Sequence, residues 1–240
     1  MLKKLFVLML LGGVIVAGFM VFPSIPAGCL PHRNQGYSLR SCIDQLRGIS
    51  SPNDVRTAAF PGVVDIEISR GFLCLDHSHG TGFIMNANGL IGTAKHIVAS
   101  FGTICGWSVT LNDGRTLSGK VTWRHSTADV ATIQLDKANN IKPVSIGSSS
   151  AARIGDPVYT ASYPGGANNP PVLSTGTLIG RGQCNEVSDG LWFDADVLPG
   201  YSGGPLLDSA GRVIGVVTGS SSAFKKGSGS CAVPIEYLTH

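Results

Sequence analysis

Gly82-Phe83-Ile84-Met85-Asn86-Ala87-Asn88-Gly89-Leu90-Ile91-Gly92-Thr93 reads as strand, turn, strand. Each arm is short and apolar, and the Asn/Gly-rich joint is a turn former. The same pattern repeats outward from this hairpin. Val63–Ile68 precedes it; Trp107–Leu111 follows, runs into the turn Asn112-Asp113-Gly114, and leads to Gly119–Trp123 and Val130–Leu135. These segments make one β-lobe over about residues 55–145. Pro157–Ala161, Gly176–Gly180, Leu191–Ala195, Gly204–Leu207, Val213–Thr218 and Ala232–Leu238 make a second over about 146–240. Two lobes of about six short strands each predict an all-β protein. The 32 glycines and the 14% of charged residues agree with turn-rich β-structure. Helical periodicity over ten or more residues is confined to the N-terminal segment, and no internal repeat is present.

That N-terminal segment begins with Lys3-Lys4, followed by an uncharged, mostly apolar run of 18 residues, Leu5–Phe22. The run is longer than the roughly 7–15 residues of a secretory signal core. It sits at the short end of the roughly 17–25 residues of a membrane span. Residues 1–22 therefore read as either a cleaved signal or a membrane anchor. Ala27-Gly28-Cys29 also resembles the end of a bacterial lipoprotein signal, although Pro26 departs from it. On each reading the remainder is secreted, periplasmic or membrane-anchored, outside the cytoplasm. Residues 23–54 mix Pro, Gly, Ser, Asn and Arg and read as a linker, with one short helix near Ser41–Leu46. The formal charge of +3 is too small to imply a nucleic-acid partner. Six cysteines (Cys29, Cys42, Cys74, Cys105, Cys184, Cys231) fit an oxidising compartment and allow fifteen pairings. Their wide spacing is not that of a zinc site.

The densest chemical signal is Pro199-Gly200-Tyr201-Ser202-Gly203-Gly204-Pro205-Leu206. A serine hydroxyl is a poor nucleophile until a base and an oxyanion site assist it. Glycines around Ser202 leave the hydroxyl approachable and let the Gly200 and Ser202 N–H groups turn toward one point. Among six histidines, His96 closes an apolar strand after a tight turn. His32 and His240 lie in the linker and at the terminus, and His125 in a polar loop. His77 and His79 flank a serine but have no second ligand cluster, so no metal is expected, and no cofactor. Asp129, at the polar start of the strand Val130–Leu135, suits the buried carboxylate that orients a catalytic imidazole. The order His96, Asp129, Ser202 differs from that of subtilisins and α/β-hydrolases.

On these residues the chain resembles the HtrA (Deg) branch of the trypsin-like serine proteases from about Asn53 onward. Gly80–Val98 resembles the branch's histidine block, Asp129-Val130-Ala131-Thr132-Ile133 its acid block, and Asp194–Leu206 its serine block. Gly211–Val216 and Ala232-Val233-Pro234-Ile235 resemble the strands that follow. The resemblance implies two six-stranded antiparallel β-barrels, chymotrypsin/trypsin-like, with the active site in the cleft between them. It implies a serine endopeptidase that acts on protein or peptide substrates through an acyl-enzyme on Ser202. His96 and Asp129 would complete the triad, with Gly200 and Ser202 as the oxyanion hole. Asp196, Val197, Thr218, Gly219 and Ser220 would line S1, and Val197 as pocket wall favours a small or medium apolar P1 residue over a basic one. Cys74–Cys105, Cys184–Cys231 and Cys29–Cys42 would be the bridges. A homo-oligomer is an assembly the resemblance allows, and membrane contact follows if the N-terminal segment stays uncleaved.

The chain departs from the branch in three places. Tyr201 replaces the usual Asn beside the nucleophile and is expected to alter the mouth of the site. Lys95, before the base, is expected to point to solvent. No PDZ domain follows, so PDZ-driven peptide sensing is not expected of this chain. Two other readings compete with an active protease. A binding module that has lost turnover has only Tyr201 in its favour. An esterase fits Gly200-Tyr201-Ser202-Gly203-Gly204, but the histidine precedes the serine.

Overall fold

The computed structural model describes residues 51–70, 73, 75–99, 104–221 and 229–239. In the N-terminal segment it describes only β1 (Leu10–Leu11) and β2 (Val14–Ile15), which pair antiparallel with Leu10 opposite Ile15. The rest of the apolar run, the linker helix near Ser41–Leu46, and Cys29, Cys42 and Cys74 lie outside the described residues. Among the described residues no helix is long and apolar enough to cross a membrane.

The main body opens with α1 (Pro52–Ala59), across the expected end of the linker. Its start is set locally. Ser51 Oγ accepts from the Asp54 N–H at 3.3 Å while Asp54 Oδ2 accepts from the Ser51 N–H at 3.0 Å, a capping box with Pro52 at the first helical position. Val55 and Ala59, four residues apart, are its buried stripe.

The first lobe holds β3 (Val63–Arg70), β4 (Asp76–Ile84), β5 (Leu90–Thr93), β6 (Ile104–Leu111), β7 (Thr116–Leu117), β8 (Gly119–Arg124) and β9 (Ala131–Leu135). They form one antiparallel sheet of seven strands, ordered β7-β6-β3-β4-β5-β9-β8. Alternate residues of β3 point one way: Val64, Ile66 and Ile68 pack with Ile84, Ile91, Val109 and Ile133 in the lobe's core. Asp65 and Glu67 lie on the other face.

The second lobe holds β10 (Ser145–Ile146), β11 (Pro157–Ser162), β12 (Val172–Cys184), β13 (Val187–Phe193), β14 (Pro205–Leu207), β15 (Arg212–Ser221) and β16 (Gly229–Pro234). Here the barrel closes: β15-β14-β11-β12-β13-β16 returns to β15, and β10 adds to β15 in parallel. Val158, Leu178, Leu191, Phe193, Leu206 and Ile214 fill it. The all-β, two-lobed class is as read from sequence. The first lobe differs in detail, as an open run of pairings with β7 and β8 at its edges.

A third cluster joins the lobes. Val63, Phe83 and Val130 pack with Tyr159, Tyr163, Val213, Val216 and Ile235. Phe83 and Ile235 are 0% and 1% exposed, and burying such a side chain contributes roughly 1.5–3 kcal/mol. The lobes are therefore fixed against each other by a common core. In the second lobe, Cys184 and Cys231 are disulfide-bonded, linking β12 to β16 across β13. The bridge crosses over Gly190, where an added Cβ would overlap that of Cys184.

Candidate active site

β5 stops at Thr93, so His96 is carried not by a strand but by α2 (Lys95–Val98), a single helical turn. Ile97 and Val98 bury the inner side of this turn in the first lobe's core, and His96 faces outward. Asp129 lies in the loop between β8 and β9 and is 8% exposed. Its Oδ1 accepts the His96 backbone N–H at 2.8 Å, and its Oδ2 lies 2.7 Å from His96 Nδ1. One carboxylate thus fixes both the turn and the ring. With Asp129 ionised, the Nδ1 bond carries the proton and Nε2 is left as the acceptor.

Ser202 sits on a turn that enters β14. Tyr201 N–H donates to Leu198 O at 3.0 Å, and Gly200 has φ +97°. Proline followed by a positive-φ glycine is the pattern of a type II turn. A side chain at Gly200 would come within 2.7 Å of Tyr163 O. Gly203 (φ +84°) is tighter still, since an added Cβ would overlap Thr81 O and Thr93 Oγ1 and approach Ala94 N at 3.0 Å. The residue after Ser202 therefore touches the chain two residues before His96.

Thr81, fully buried on β4, holds this approach in place. Its N–H donates to Ser202 O at 2.8 Å, and its hydroxyl donates to Gly200 O at 2.7 Å. The same hydroxyl oxygen accepts the Tyr163 N–H at 3.0 Å, and Thr81 O accepts from Thr93 Oγ1 at 2.8 Å. Sequence reasoning gave Thr81 no role. The available signal was a hydroxyl between two glycines, Gly80 and Gly82, just before the apolar Phe83-Ile84.

Tyr201 is not at the mouth of the site. It is 2% exposed and packs inward with Val158, Leu178, Phe193 and Ile214, its hydroxyl 2.9 Å from Ser174 Oγ. Lys95 does not point free into solvent either. Its Nζ donates to the carbonyls of His125 (3.2 Å) and Thr127 (3.0 Å), tying the histidine turn to the Asp129 loop.

Of the expected S1 residues, Thr218 is buried with Oγ1 3.5 Å from Cys184 Sγ. Gly219 falls at a register shift between β15 and β16, with nothing within 4 Å of where a Cβ would stand. Ser220 pairs with Ser230 in the same ladder. Val197 packs half-buried against the second-lobe core, whereas Asp196 is exposed. One cleft is lined by His96, Asp129, Arg124, Glu186 and Thr218, so the imidazole and the Thr218 strand share an opening. His77 and His79 pair with carboxylates of β3: His77 Nδ1 lies 2.6 Å from Glu67 Oε1, and His79 Nδ1 lies 3.1 Å from Asp65 Oδ2. Burial pushes the Asp65 carboxyl above its usual range, against the pull of His79 and the Ala167 N–H.

A two-lobed β-body with a histidine–carboxylate pair on one lobe and a glycine-framed serine turn on the other has the build of a trypsin-like peptidase. A model described as the trypsin-like peptidase domain matches residues 80–216, and the chain belongs to that family. Its relatives place it further. It is 31% identical over 222 residues to the serine protease PepD of Mycobacterium tuberculosis, covering 85% of this chain and 42% of that protein. It is 35% identical over 145 residues to a probable periplasmic serine endoprotease, DegP-like, of Chlamydia muridarum, covering 60% and 28%. The solved HtrA-type protease AlgW with tripeptide superposes with a TM-score of 0.67 at 26% identity, over 78% of this chain and 60% of that one. Within the family the chain is of the HtrA type. It spans less than half the length of these two curated relatives.

Proposed function

We propose that the chain is a serine endopeptidase in which Ser202, His96 and Asp129 form the triad. The observation that carries this reading is the double hold of Asp129 on His96, at 2.8 Å to the backbone N–H and 2.7 Å to Nδ1. Ser202 Oγ attacks the scissile carbonyl carbon while His96 Nε2 takes its proton, and Asp129 stabilises the imidazolium that forms. The carbonyl oxygen becomes an oxyanion and accepts from the Gly200 and Ser202 N–H groups. Among the described residues neither of these groups donates a hydrogen bond elsewhere, which supports the assignment. Such a donor is worth about 10²–10³ in rate. The imidazolium then protonates the leaving amine and an acyl-enzyme remains. Water, deprotonated by the same Nε2, releases the acid and restores Ser202.

Thr218 on the cleft, the open space at Gly219 and the inward packing of Val197 favour a small or medium apolar P1 residue. Asp196, exposed, is a poor partner for a buried basic side chain. Tyr201 is buried away from the opening, so the binding-only reading loses the feature that favoured it. Export is part of the proposal, supported by Lys3-Lys4 with the apolar run, by the Cys184–Cys231 bridge and by a relative named periplasmic. The test is fluorophosphonate labelling of the full-length chain beside Ser202→Ala. Labelling that persists in the variant, or folded wild type that does not label near neutral pH, refutes the assignment. Peptides with Val, Ala, Arg or Lys at P1 then test the pocket, and faster cleavage after Arg or Lys would overturn the apolar preference.

A further inference from the structure

The loop that presents Asp129 runs His125-Ser126-Thr127-Ala128-Asp129, between β8 and β9. A side chain closes it. His125 Nδ1 accepts the Thr127 N–H at 3.1 Å and the Ala128 N–H at 2.9 Å. In most turns of this kind an Asp or Asn oxygen accepts from the backbone two residues on. Here an imidazole nitrogen does so, and a ring nitrogen that accepts carries no proton. The loop as built therefore requires the neutral ring with its proton on Nε2. The ring is held between Trp123 and Tyr237, edge-on at centroid distances of 5.6 and 5.4 Å. A second strap comes from the histidine turn, where Lys95 Nζ donates to His125 O and Thr127 O.

We propose that His125 is a positioning residue whose neutral imidazole shapes the loop presenting Asp129 to His96, so that protonating His125 loosens the triad's acid. The inference rests on the peptidase reading above. Protonation at Nδ1 would bring a third N–H against two others, removing both bonds and leaving the Ala128 N–H, next to Asp129, without its acceptor. The two Asp129 bonds to His96 depend on that loop's path. The charged and titratable groups around His125 are Lys95 on its carbonyl and Asp129 at the far end of the loop. Arg124 precedes it, with Nη2 on Val98 O at 3.0 Å, and Tyr237 faces its ring with the hydroxyl on Asp189 Oδ1 at 3.0 Å. His96 lies beyond Asp129. Two imidazoles, His96 and His125, must then be unprotonated for the site to be assembled.

The experiment compares full-length wild type, His125→Asn and His125→Leu, each confirmed folded by its thermal melt, in fluorophosphonate labelling rate between about pH 5 and pH 8. The Asn oxygen can accept from the same N–H groups but does not titrate; Leu can do neither. Near pH 8, His125→Leu should label about 10- to 100-fold slower than wild type, the scale of a misplaced catalytic group, and His125→Asn should restore most of the rate. Toward acid, the wild-type rate should fall with a two-proton slope and that of His125→Asn with a one-proton slope. A Leu variant as fast as wild type, or equal slopes for wild type and Asn, overturns the proposal. A wild type that never labels sinks the peptidase reading alone. In that case the downfield proton resonance of His96 Nδ1–H decides. It should weaken in His125→Leu and persist in His125→Asn, and an unchanged resonance in the Leu variant overturns the positioning role.

Discussion

Removing the Cys184–Cys231 bridge should both destabilise the domain and disturb the Thr218 wall. The two half-cystines are 47 residues apart in sequence. Closing a loop of that length lowers the entropy of the unfolded chain by an amount worth about 4 kcal/mol at 25 °C. For a body of about 190 residues, each kcal/mol moves Tm by about 2–4 °C, so Cys184→Ala/Cys231→Ala should melt about 8–16 °C lower than wild type. Both residues are buried, at 1% and 3% exposure, so the alanines leave little new surface but a small void, and the true shift should not fall short of the entropic figure. Cys184 Sγ also contacts Thr218 Oγ1, so KM for peptides should rise more than kcat falls. Circular dichroism melts without reductant, beside a thiol titration of denatured wild type, give the answer. A shift under about 3 °C, with the wild-type bridge verified, would refute the loop-entropy argument for this barrel.

Three further perturbations follow from the same geometry. Gly203→Ala places a Cβ on Thr81 O and Thr93 Oγ1 at a positive φ, so labelling should be lost and stability should drop by more than about 2 kcal/mol in urea unfolding; an active, stable variant would mean Ser202 is not held against β5. Tyr201→Phe should cost about 1 kcal/mol in the same assay, and Ser174→Ala about as much. The double variant should cost no more than either single one, because both remove one hydrogen bond; additive losses would show that the pair does not interact. Burial alone would raise the Glu236 carboxyl, but hydrogen bonds from Ser148 Oγ (2.7 Å) and the Ser149 N–H (2.8 Å) hold it below its usual value. A depressed folded-state pKa contributes stability above the unfolded carboxyl range that is lost as pH falls through the folded value. Glu236→Gln should therefore melt below wild type at neutral pH, with the gap closing by about pH 3; a pH-independent gap would refute the linkage.

The hairpin from Gly82 to Thr93 was legible because its causes are local: apolar arms, turn residues, and a strand period that needs no distant partner. β12 was legible only over Gly176–Gly180, although it runs from Val172 to Cys184. Its flanks, with Ser174, Thr175 and Gln183, carry no strand-like alternation and are extended because β11 and β13 pair with them on either side. Helix α1 has eight residues, too few for a periodicity to declare itself. What marks it is chemical punctuation, Ser51 with Asp54 three residues on and Pro52 between, at the end of a segment whose composition reads as linker.

The candidate site divides in the same way. Histidine, aspartate and serine are types the chemistry demands, and their blocks are visible one by one. What holds them in register is spread over residues that look ordinary in sequence. Tyr201 shows why. The Gly204 N–H donates to Tyr201 O at 2.9 Å, closing a tight turn over Ser202 and Gly203 that leaves the Tyr201 side chain inside the barrel. A phenol in that apolar interior is tolerable only if its hydroxyl finds a partner, and Ser174, a polar residue on a core-facing strand, is the partner. On the other side of the same turn Thr81 takes up Gly200 and Ser202 from the first lobe. The Ser202 turn is therefore anchored in both lobes at once, by a tyrosine pulling inward and a threonine bridging across. Its geometry belongs to the assembled pair of lobes rather than to the peptide that carries the serine.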